Sequence, residues 1–251
     1  MTSVPAISVE HLIRQGLIHE ETAQKHRHKW PRLNEVLAGA PGTEPDSTTL
    51  ITMSGGTLEK ALVDAMCDAA GIPEDDREGI RLLSGGEFRI DSGVKDRRTI
   101  DVIGARKVDE AATSEAWLPV FATEAKYGAW VNGGHGYCKR APETYSNQVI
   151  CYLHGCIDAR LNDDVEFIWL GNAVTDPDLA PWGRKGIVES DYKWAGLEEA
   201  HKLQELARER WNALTWVTLG EAITTALAAE GFAAEAETIV RFLRAGGPSA
   251  N

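Results

Sequence analysis

Three stretches of the sequence decide how it can fold: Thr99-Ile-Asp-Val-Ile-Gly104, Val120-Phe-Ala-Thr-Glu-Ala-Lys-Tyr127 and Tyr145-Ser-Asn-Gln-Val-Ile-Cys-Tyr152. The first is a short β-branched run after a charged turn, and it predicts a strand that carries Asp101. The second predicts another strand, on which Glu124 and Lys126 share a face because side chains alternate across a strand. Asp101 and Glu124 could therefore meet at one end of a sheet.

The third stretch belongs to a predicted helix. Apolar and aromatic side chains recur at helical spacing over Glu143–Leu161, with Thr144 as a plausible N-cap. Gln148 and Tyr152 are four residues apart, so they share one face of this helix. The chain thus presents an Asp, a Glu-x-Lys pair and a Gln-x-x-x-Tyr face in that order.

This set of residues suits the hydrolysis of a phosphodiester. The reaction needs a nucleophile near neutral pH and stabilisation of the negative charge that builds on the phosphoryl oxygens, and Mg²⁺ or Mn²⁺ supplies both. Such hard cations prefer oxygen ligands, commonly one or two carboxylates. Asp101 and Glu124 would supply the carboxylates, and Ala125 a backbone carbonyl as third ligand. Lys126 could orient the attacking water and stabilise the transition-state charge.

In these residues the sequence resembles the PD-(D/E)xK nuclease superfamily, whose members have the restriction-endonuclease-like fold. The resemblance covers roughly residues 55–175, about half of the chain. It implies a small mixed sheet with Asp101 and the Glu-x-Lys pair on adjacent strands around a metal ion. The helix with Gln148 and Tyr152 resembles an extra motif of the RecB-type branch, where such residues are taken to contact DNA and support the active site.

Two further carboxylates enter through this resemblance. The family often has a Glu on the helix before the sheet, and Glu59, in the amphipathic stretch Thr57–Met66, is the candidate for this outer catalytic and metal-binding carboxylate. A plain surface position is the alternative for Glu59. The sequence departs from the family pattern at Asp101, which follows Ile100 rather than Pro. Asp91 is therefore a rival for the role of Asp101.

A Gly-rich segment, residues 128–140, would open directly beside the predicted metal. Aromatic and cationic side chains on a loop can stack on bases and hold phosphates, and long loops in compact domains are often functional. We therefore expect substrate contacts there, with an ordinary long connection as the alternative. The candidate substrate-binding residues are Trp130, His135, Tyr137, Lys139 and Arg140.

The composition is that of an ordinary globular protein. The chain has 251 residues, of which 43% are hydrophobic and 25% charged, and this length can bury a substantial core. No apolar run reaches membrane-spanning length, and the N-terminal sequence lacks the basic and apolar regions of a signal peptide. We therefore expect a cytoplasmic protein with no membrane partner.

The net charge of −12 argues against a nucleic-acid partner held by bulk electrostatics alone. DNA binding would then rest on the bound metal and a few basic segments. The most basic of these is Gln24–Arg32, where Trp30 interleaves with cationic side chains. This tract could contact the DNA backbone, or it could be a solvated helix end.

The four cysteines are expected to be free thiols in a cytoplasmic protein. No Cys-x-x-Cys pattern occurs, so the sequence has no motif for an iron–sulfur cluster. A zinc site built from His135 and Cys138 with Cys151 and His154 is an alternative, because its spacing is that of zinc ligands.

The predicted fold class is α/β, with a restriction-endonuclease-like core, a central mixed β-sheet flanked by helices, and added helices at both ends. The expected units are an N-terminal helical segment (1–40), the nuclease core (50–185) and a C-terminal helical extension packed on the core (186–251), with 39–49 as a linker. Further predicted elements are a helix over 57–70, strands over 88–91 and 165–170, a helix over 191–214, a strand over 215–219, and helices over 221–229 and 233–244.

The function that these patterns favour is metal-dependent hydrolysis of DNA. The size of the chain, with no helicase or ATP-binding stretch, favours an endonuclease of restriction or phage-defence type. A homodimer is an option for such an enzyme, because a single site cuts a single strand. The alternatives are a RecB-type exonuclease of recombination and repair, a non-catalytic nucleic-acid-binding protein on the same fold, and an unrelated α/β enzyme in which the motif match is due to chance.

Overall fold

A five-stranded mixed sheet organises the chain. The computed structural model describes residues 7–84, 100–107, 117–126, 133–140, 143–147, 165–171 and 209–244, with the backbone alone for 133–140, 143–147 and 244. In these ranges the protein is α/β, with an open mixed sheet flanked by helices. The coarse fold class expected from the sequence is confirmed.

The strands are β1 (Ile80–Leu83), β2 (Val102–Lys107), β3 (Trp117–Ala125), β4 (Gly133–Arg140), β5 (Glu143–Asn147), β6 (Glu166–Gly171) and β7 (Trp211–Thr215). The main sheet has the order β1-β2-β3-β6-β7. Its first three strands pair antiparallel, whereas β6 runs parallel to β3 and β7 parallel to β6. β4 and β5 pair with each other as a separate antiparallel sheet.

Helices lie before and after the strands. In the described ranges they are α1 (Val9–Arg14), α2 (Glu20–Lys25), α3 (Trp30–Leu37), α4 (Glu44–Met53), α5 (Gly56–Ala69), α6 (Trp216–Ala229) and α7 (Ala233–Arg244). No helix among them is long and apolar enough to cross a membrane.

One apolar core is shared by the N-terminal helices, the sheet and the C-terminal helices. The last helix shows why these residues form such elements, since α7 buries side chains at i, i+3, i+4 and i+7, the stripe of an amphipathic helix. These are Ala236, Ile239, Val240 and Leu243. Large buried members of the same core include Leu12, Leu33, Leu50, Leu62, Phe121 and Phe242.

A close approach between β2 and β3 shapes the centre of the sheet. Gly104 lies opposite Phe121, and the register shifts between Gly104 and Ala105. A Cβ atom at position 104 would overlap the Phe121 ring, so glycine is the residue that fits position 104.

The expected linker over 39–49 is wrong from Glu44 onward, because α4 begins there. Thr43 is the N-cap, and its hydroxyl and amide both bind the Asp46 carboxylate at 2.8 and 2.9 Å, as in a capping box. The helix buries Leu50, Ile51 and Met53. The polar, Pro-containing composition marks a capped helix start in this case, not a linker.

The expected helix over 191–214 is wrong at 211–214, and the expected strand over 215–219 is wrong from Trp216. Residues Trp211–Thr215 form β7 through pairing with β6, and α6 follows at once. The Thr215 hydroxyl accepts a hydrogen bond from the Thr218 amide at 3.0 Å and caps that helix. Pairing with a distant strand therefore overrides the helical spacing that the sequence shows here.

The segment around the Gly-rich stretch also differs from expectation. Gly133–Arg140 is a strand rather than a loop, and Glu143–Asn147 is its partner strand rather than the first turn of a helix. The rest of that predicted helix, the predicted strand over 88–91 and the predicted helix over 191–208 lie outside the described residues. The terminal helix over 233–244 is confirmed.

Candidate active site

The ends of two neighbouring strands bring Asp101 and Glu124 together. Val102 pairs with Thr123 across β2 and β3, so Asp101, one residue before Val102, lies opposite Glu124. The Asp101 carboxylate accepts a hydrogen bond from the Ala125 amide at 2.9 Å. This bond ties the start of β2 to the end of β3 next to the Glu-x-Lys pair.

Lys126 lies between two carboxylates. Its Nζ atom forms an ion pair with Glu124 and another with Glu44 Oε1 at 3.2 Å. The side chains of Lys126 and Glu124 are only 8% and 3% exposed, whereas Glu44 is 27% exposed. The ammonium group is therefore held in a nearly dry environment, with Glu44 on the side that water can reach.

Backbone hydrogen bonds fix the position of Lys126 in the fold. Its amide donates to the Leu170 carbonyl on β6 at 2.8 Å, and its carbonyl accepts from Trp216 Nε1 at 3.0 Å. Trp216 is buried at the first position of α6. Two elements that are distant in sequence, β6 and α6, thus determine the backbone position of Lys126.

Burial is the main influence on the ionisation of Asp101. It raises the pKa of the Asp101 carboxyl to about 6, although the hydrogen bond from Ala125 and the charge of Lys126 act in the opposite direction. The charge of Glu44 raises this pKa further. An additional cation beside this buried carboxyl would stabilise its ionised form.

Lys126 shows the opposite balance. Burial on its own would lower the pKa of the Lys126 ammonium, but its attraction to Glu124, Asp101 and Glu44 outweighs burial and raises the pKa to about 12. Lys126 is therefore a permanent cation at neutral pH.

The donor chemistry of this cluster fits a hard divalent cation. Asp101 and Glu124 offer carboxylate oxygens at adjacent strand ends, and Mg²⁺ is commonly held by one or two protein carboxylates with water and substrate in the other positions. In the described part of the chain, no group of three or more His, Cys, Asp or Glu side chains is arranged to hold a metal ion. Among the described residues, Asp101 and Glu124 are the two carboxylates at these strand ends, and the Ala125 carbonyl stays a predicted third ligand.

Glu59 lies in a different set of contacts. Its Oε1 accepts from Arg81 Nε at 2.8 Å and from the Leu82 amide at 3.0 Å, while its Oε2 is 2.8 Å from His19 Nε2. These contacts join α5 to β1 and to the segment before α2. The structure therefore gives Glu59 local partners in the fold, and its role as an outer carboxylate stays a prediction.

The other predicted site residues lie beyond what the side-chain description covers. Gln148, Tyr152, Trp130 and the rival Asp91 fall outside the described residues. The structure describes only the backbone of β4, on which lie His135, Tyr137, Lys139 and Arg140. Of the zinc alternative, Cys138 also lies on β4, whereas Cys151 and His154 fall outside the described residues.

Cys67 is a free, buried cysteine, and burial raises the pKa of its thiol to about 12, so it is unreactive.

Glu44 is the residue of this site that the sequence reading missed. Thr43, Pro45 and Asp46 around it are a helix-start signature that could have identified the start of α4. Its contact with Lys126, 82 positions away, carries no local signal.

Comparisons with known proteins do not assign this chain to a family. No family model matches the sequence, no curated protein matches it, and no solved structure matches the fold.

Proposed function

We propose that this protein is a metal-dependent DNA nuclease with a restriction-endonuclease-like core. One observation carries the proposal: Asp101 and the Glu124-x-Lys126 pair meet at the adjacent ends of β2 and β3, joined by the bond from the Ala125 amide to Asp101. Asp101 is 23 positions before Glu124 in the sequence, and a chance motif match would not require the two to be neighbours. The mixed sheet, antiparallel up to β3 and parallel beyond it, is compatible with the core that the resemblance implies.

The carboxylates of Asp101 and Glu124 would hold Mg²⁺ or Mn²⁺, which when bound supplies Lewis acidity toward the phosphoryl oxygens and an activated water. The Asp101 carboxylate is held in place by the Ala125 amide, so it is pre-positioned for a cation. Burial raises the pKa of Asp101, which means that its ionised form is unfavourable in the protein alone. A cation bound beside it would stabilise this ionised form.

Lys126 would act through its charge. Because its pKa is raised to about 12, the ammonium keeps its proton at neutral pH and cannot take one from water. It can orient a water molecule and stabilise negative charge on the phosphoryl oxygens. Glu44 forms the second ion pair of the ammonium, and we propose it, in place of Glu59, as the outer carboxylate of the site.

Plasmid cleavage tests this function. Wild-type protein should cut plasmid DNA in Mg²⁺ or Mn²⁺ and should not cut it in EDTA. Lys126→Ala should lower the rate at least about 100-fold, the size of effect seen when one charge-stabilising donor is removed. Lys60→Ala is the matched control, since Lys60 is an exposed lysine on α5 whose partner is Asp64.

A second variant controls for misfolding of Lys126→Ala. Removal of Lys126 leaves Glu44 and Glu124 without their shared cation and could unfold the protein. Glu124→Gln is close to isosteric, so it should also abolish cleavage while its circular dichroism spectrum stays that of the wild type.

Supercoiled and linear plasmids distinguish an endonuclease from an exonuclease, because an endonuclease cuts both and an exonuclease requires an end. The proposal fails if folded wild-type protein cuts neither duplex nor single-stranded DNA with either metal, or if both variants cut like the wild type.

A further inference from the structure

The basic tract Gln24–Arg32 spans the end of α2, the connecting turn and the start of α3. Residues Arg27–Lys29 make a 3-10 turn, and Arg27 is exposed. The turn is held by the Trp30 indole, which donates to the Ala23 carbonyl at 3.0 Å and lies 6.0 Å below the Arg27 guanidinium. Cationic side chains on this turn are therefore presented from a fixed backbone.

The basic tract is attached to the helix that enters the candidate active site. Lys29 Nζ donates to Thr49 Oγ1 on α4 at 2.9 Å, and Arg32 Nε lies 3.4 Å from the Asp46 carboxylate in the first turn of α4. The first residue of the same helix is Glu44, which contacts Lys126. Basic tract, α4 and catalytic lysine are thus linked by direct contacts.

Helix geometry gives the spacing. Thr49 is five residues after Glu44, so it lies about 7.5 Å further along the helix axis at about 1.5 Å per residue. Successive base pairs of DNA are about 3.4 Å apart along the duplex axis. A strand with its scissile phosphate at Lys126 could therefore reach the basic tract with phosphates only a few nucleotides away.

Two positive charges of the basic tract have uncharged partners. Arg27 lies over the Trp30 ring, and Lys29 donates to the Thr49 hydroxyl. Lys25 and Arg32, in contrast, form ion pairs with Glu21 and with Glu35 and Asp46. Within the described part of the chain neither Arg27 nor Lys29 forms an ion pair with a carboxylate, so both charges can bind an external anion.

The whole-protein charge makes such a local surface necessary. At a net charge of −12 the protein repels a polyanion at long range, so phosphate binding requires cations concentrated near the site. From this arrangement we propose that Arg27 and Lys29 bind backbone phosphates of the DNA substrate next to the cleaved bond. This inference rests on the proposed nuclease function.

Binding measurements without cleavage test it. The probe is a fluorescein-labelled 20-base-pair duplex, titrated by anisotropy with Ca²⁺ in place of Mg²⁺ between 50 and 200 mM salt. Arg27→Gln and Lys29→Gln should each weaken binding about fivefold or more at 100 mM salt. Each should also reduce the slope of log affinity against log salt by roughly 0.9, the value for one phosphate contact. Glutamine at position 29 removes the charge and keeps a side-chain hydrogen-bond donor.

Lys60→Gln, which removes one exposed cation from α5, is the control and should leave affinity and slope unchanged. Equal affinity and slope for wild type, Arg27→Gln and Lys29→Gln would overturn the proposed surface, even if Lys126→Ala abolishes cleavage. Weaker binding by both variants, with no cleavage by the wild type in any metal, would support the surface and reject the nuclease. A wild type that neither binds nor cleaves DNA would overturn both.

Discussion

At the scale of single residues, burial opposes the ionisation of Asp101 in the candidate site. Burial raises the pKa of Asp101 to about 6, from an ordinary value of 3.8. Lys126 and the Ala125 amide only partly offset this. The native state therefore binds a proton at Asp101 more tightly than the unfolded chain does, and ionised Asp101 reduces stability.

The sign of this effect gives a prediction for Asp101→Asn. Because the folded pKa is raised, wild-type stability falls as the pH rises through the window from about 3.8 to about 6, and the loss is complete above it. Asparagine carries no charge and can still accept from the Ala125 amide. In EDTA at pH 8, Asp101→Asn should therefore be more stable than wild type by up to about 3 kcal/mol, at about 1.4 kcal/mol per pKa unit.

Urea unfolding at pH 4 and pH 8 measures this difference. The gain should shrink toward zero at pH 4, where wild-type Asp101 is largely protonated. Asp75→Asn, at an exposed acid of the 3-10 turn Glu74–Asp76, is the control and should show no comparable gain. If Asp101→Asn is equally or less stable than wild type at pH 8, the electrostatic account of the site is wrong.

At the scale of elements, the pairing of β2 with β3 positions the site, and this pairing depends on one glycine. Gly104 faces Phe121, whose ring occupies the space of any side chain at position 104. Asp101 is three residues before Gly104, so a distortion at this point would reach the site directly.

Gly104→Ala should destabilise the protein by about 1–3 kcal/mol, because an inserted methyl group must displace the fully buried Phe121 ring. Chemical denaturation measures the loss. Phe121→Leu provides the matched background, since Leu lacks the atoms that overlap. In that background Gly104→Ala should cost less, and a double-mutant cycle should give a coupling of about 1 kcal/mol or more. Additive losses would show that the ring is not what excludes a side chain.

At the scale of the whole molecule, contacts join the two ends of the described chain. His11 on α1 is 2.7 Å from Glu235 on α7, and Arg241 on α7 donates to the Leu37 carbonyl of α3 at 3.0 Å. The shared apolar core contains residues of α1, the sheet and α7. The N-terminal and C-terminal helices therefore depend on each other for burial.

This continuity predicts one cooperative unfolding transition. Leu12→Ala removes a fully buried side chain of α1 and should lower the stability of the entire protein by about 2–5 kcal/mol. Tryptophan fluorescence and far-ultraviolet circular dichroism should shift together. Ile13→Ala, at a partly buried position on the same helix, should cost less. Two separate transitions, with only one of them affected by Leu12→Ala, would mean that the segments fold independently.

Local sequence was sufficient for elements whose stability comes from their own pattern. A helix or strand places its side chains at a fixed period. This made it possible to predict the amphipathic stripe of α7, the apolar run of β6, and the strands β2 and β3, which position Asp101 and Glu124. The same alternation placed Glu124 and Lys126 on one face. Three of the residues in the candidate site could thus be identified before the fold was known.

Which distant groups meet depends on how the whole chain folds. Glu44 contacts Lys126 across 82 positions, Glu59 is bound by His19 and Arg81, and β7 is a strand because it pairs with β6. Such contacts depend on the packing of whole elements against one another, and long-range pairing can override local preference. Hence the chemical groups of the candidate site follow from local sequence patterns, whereas the partners that set their charge and position follow from the fold.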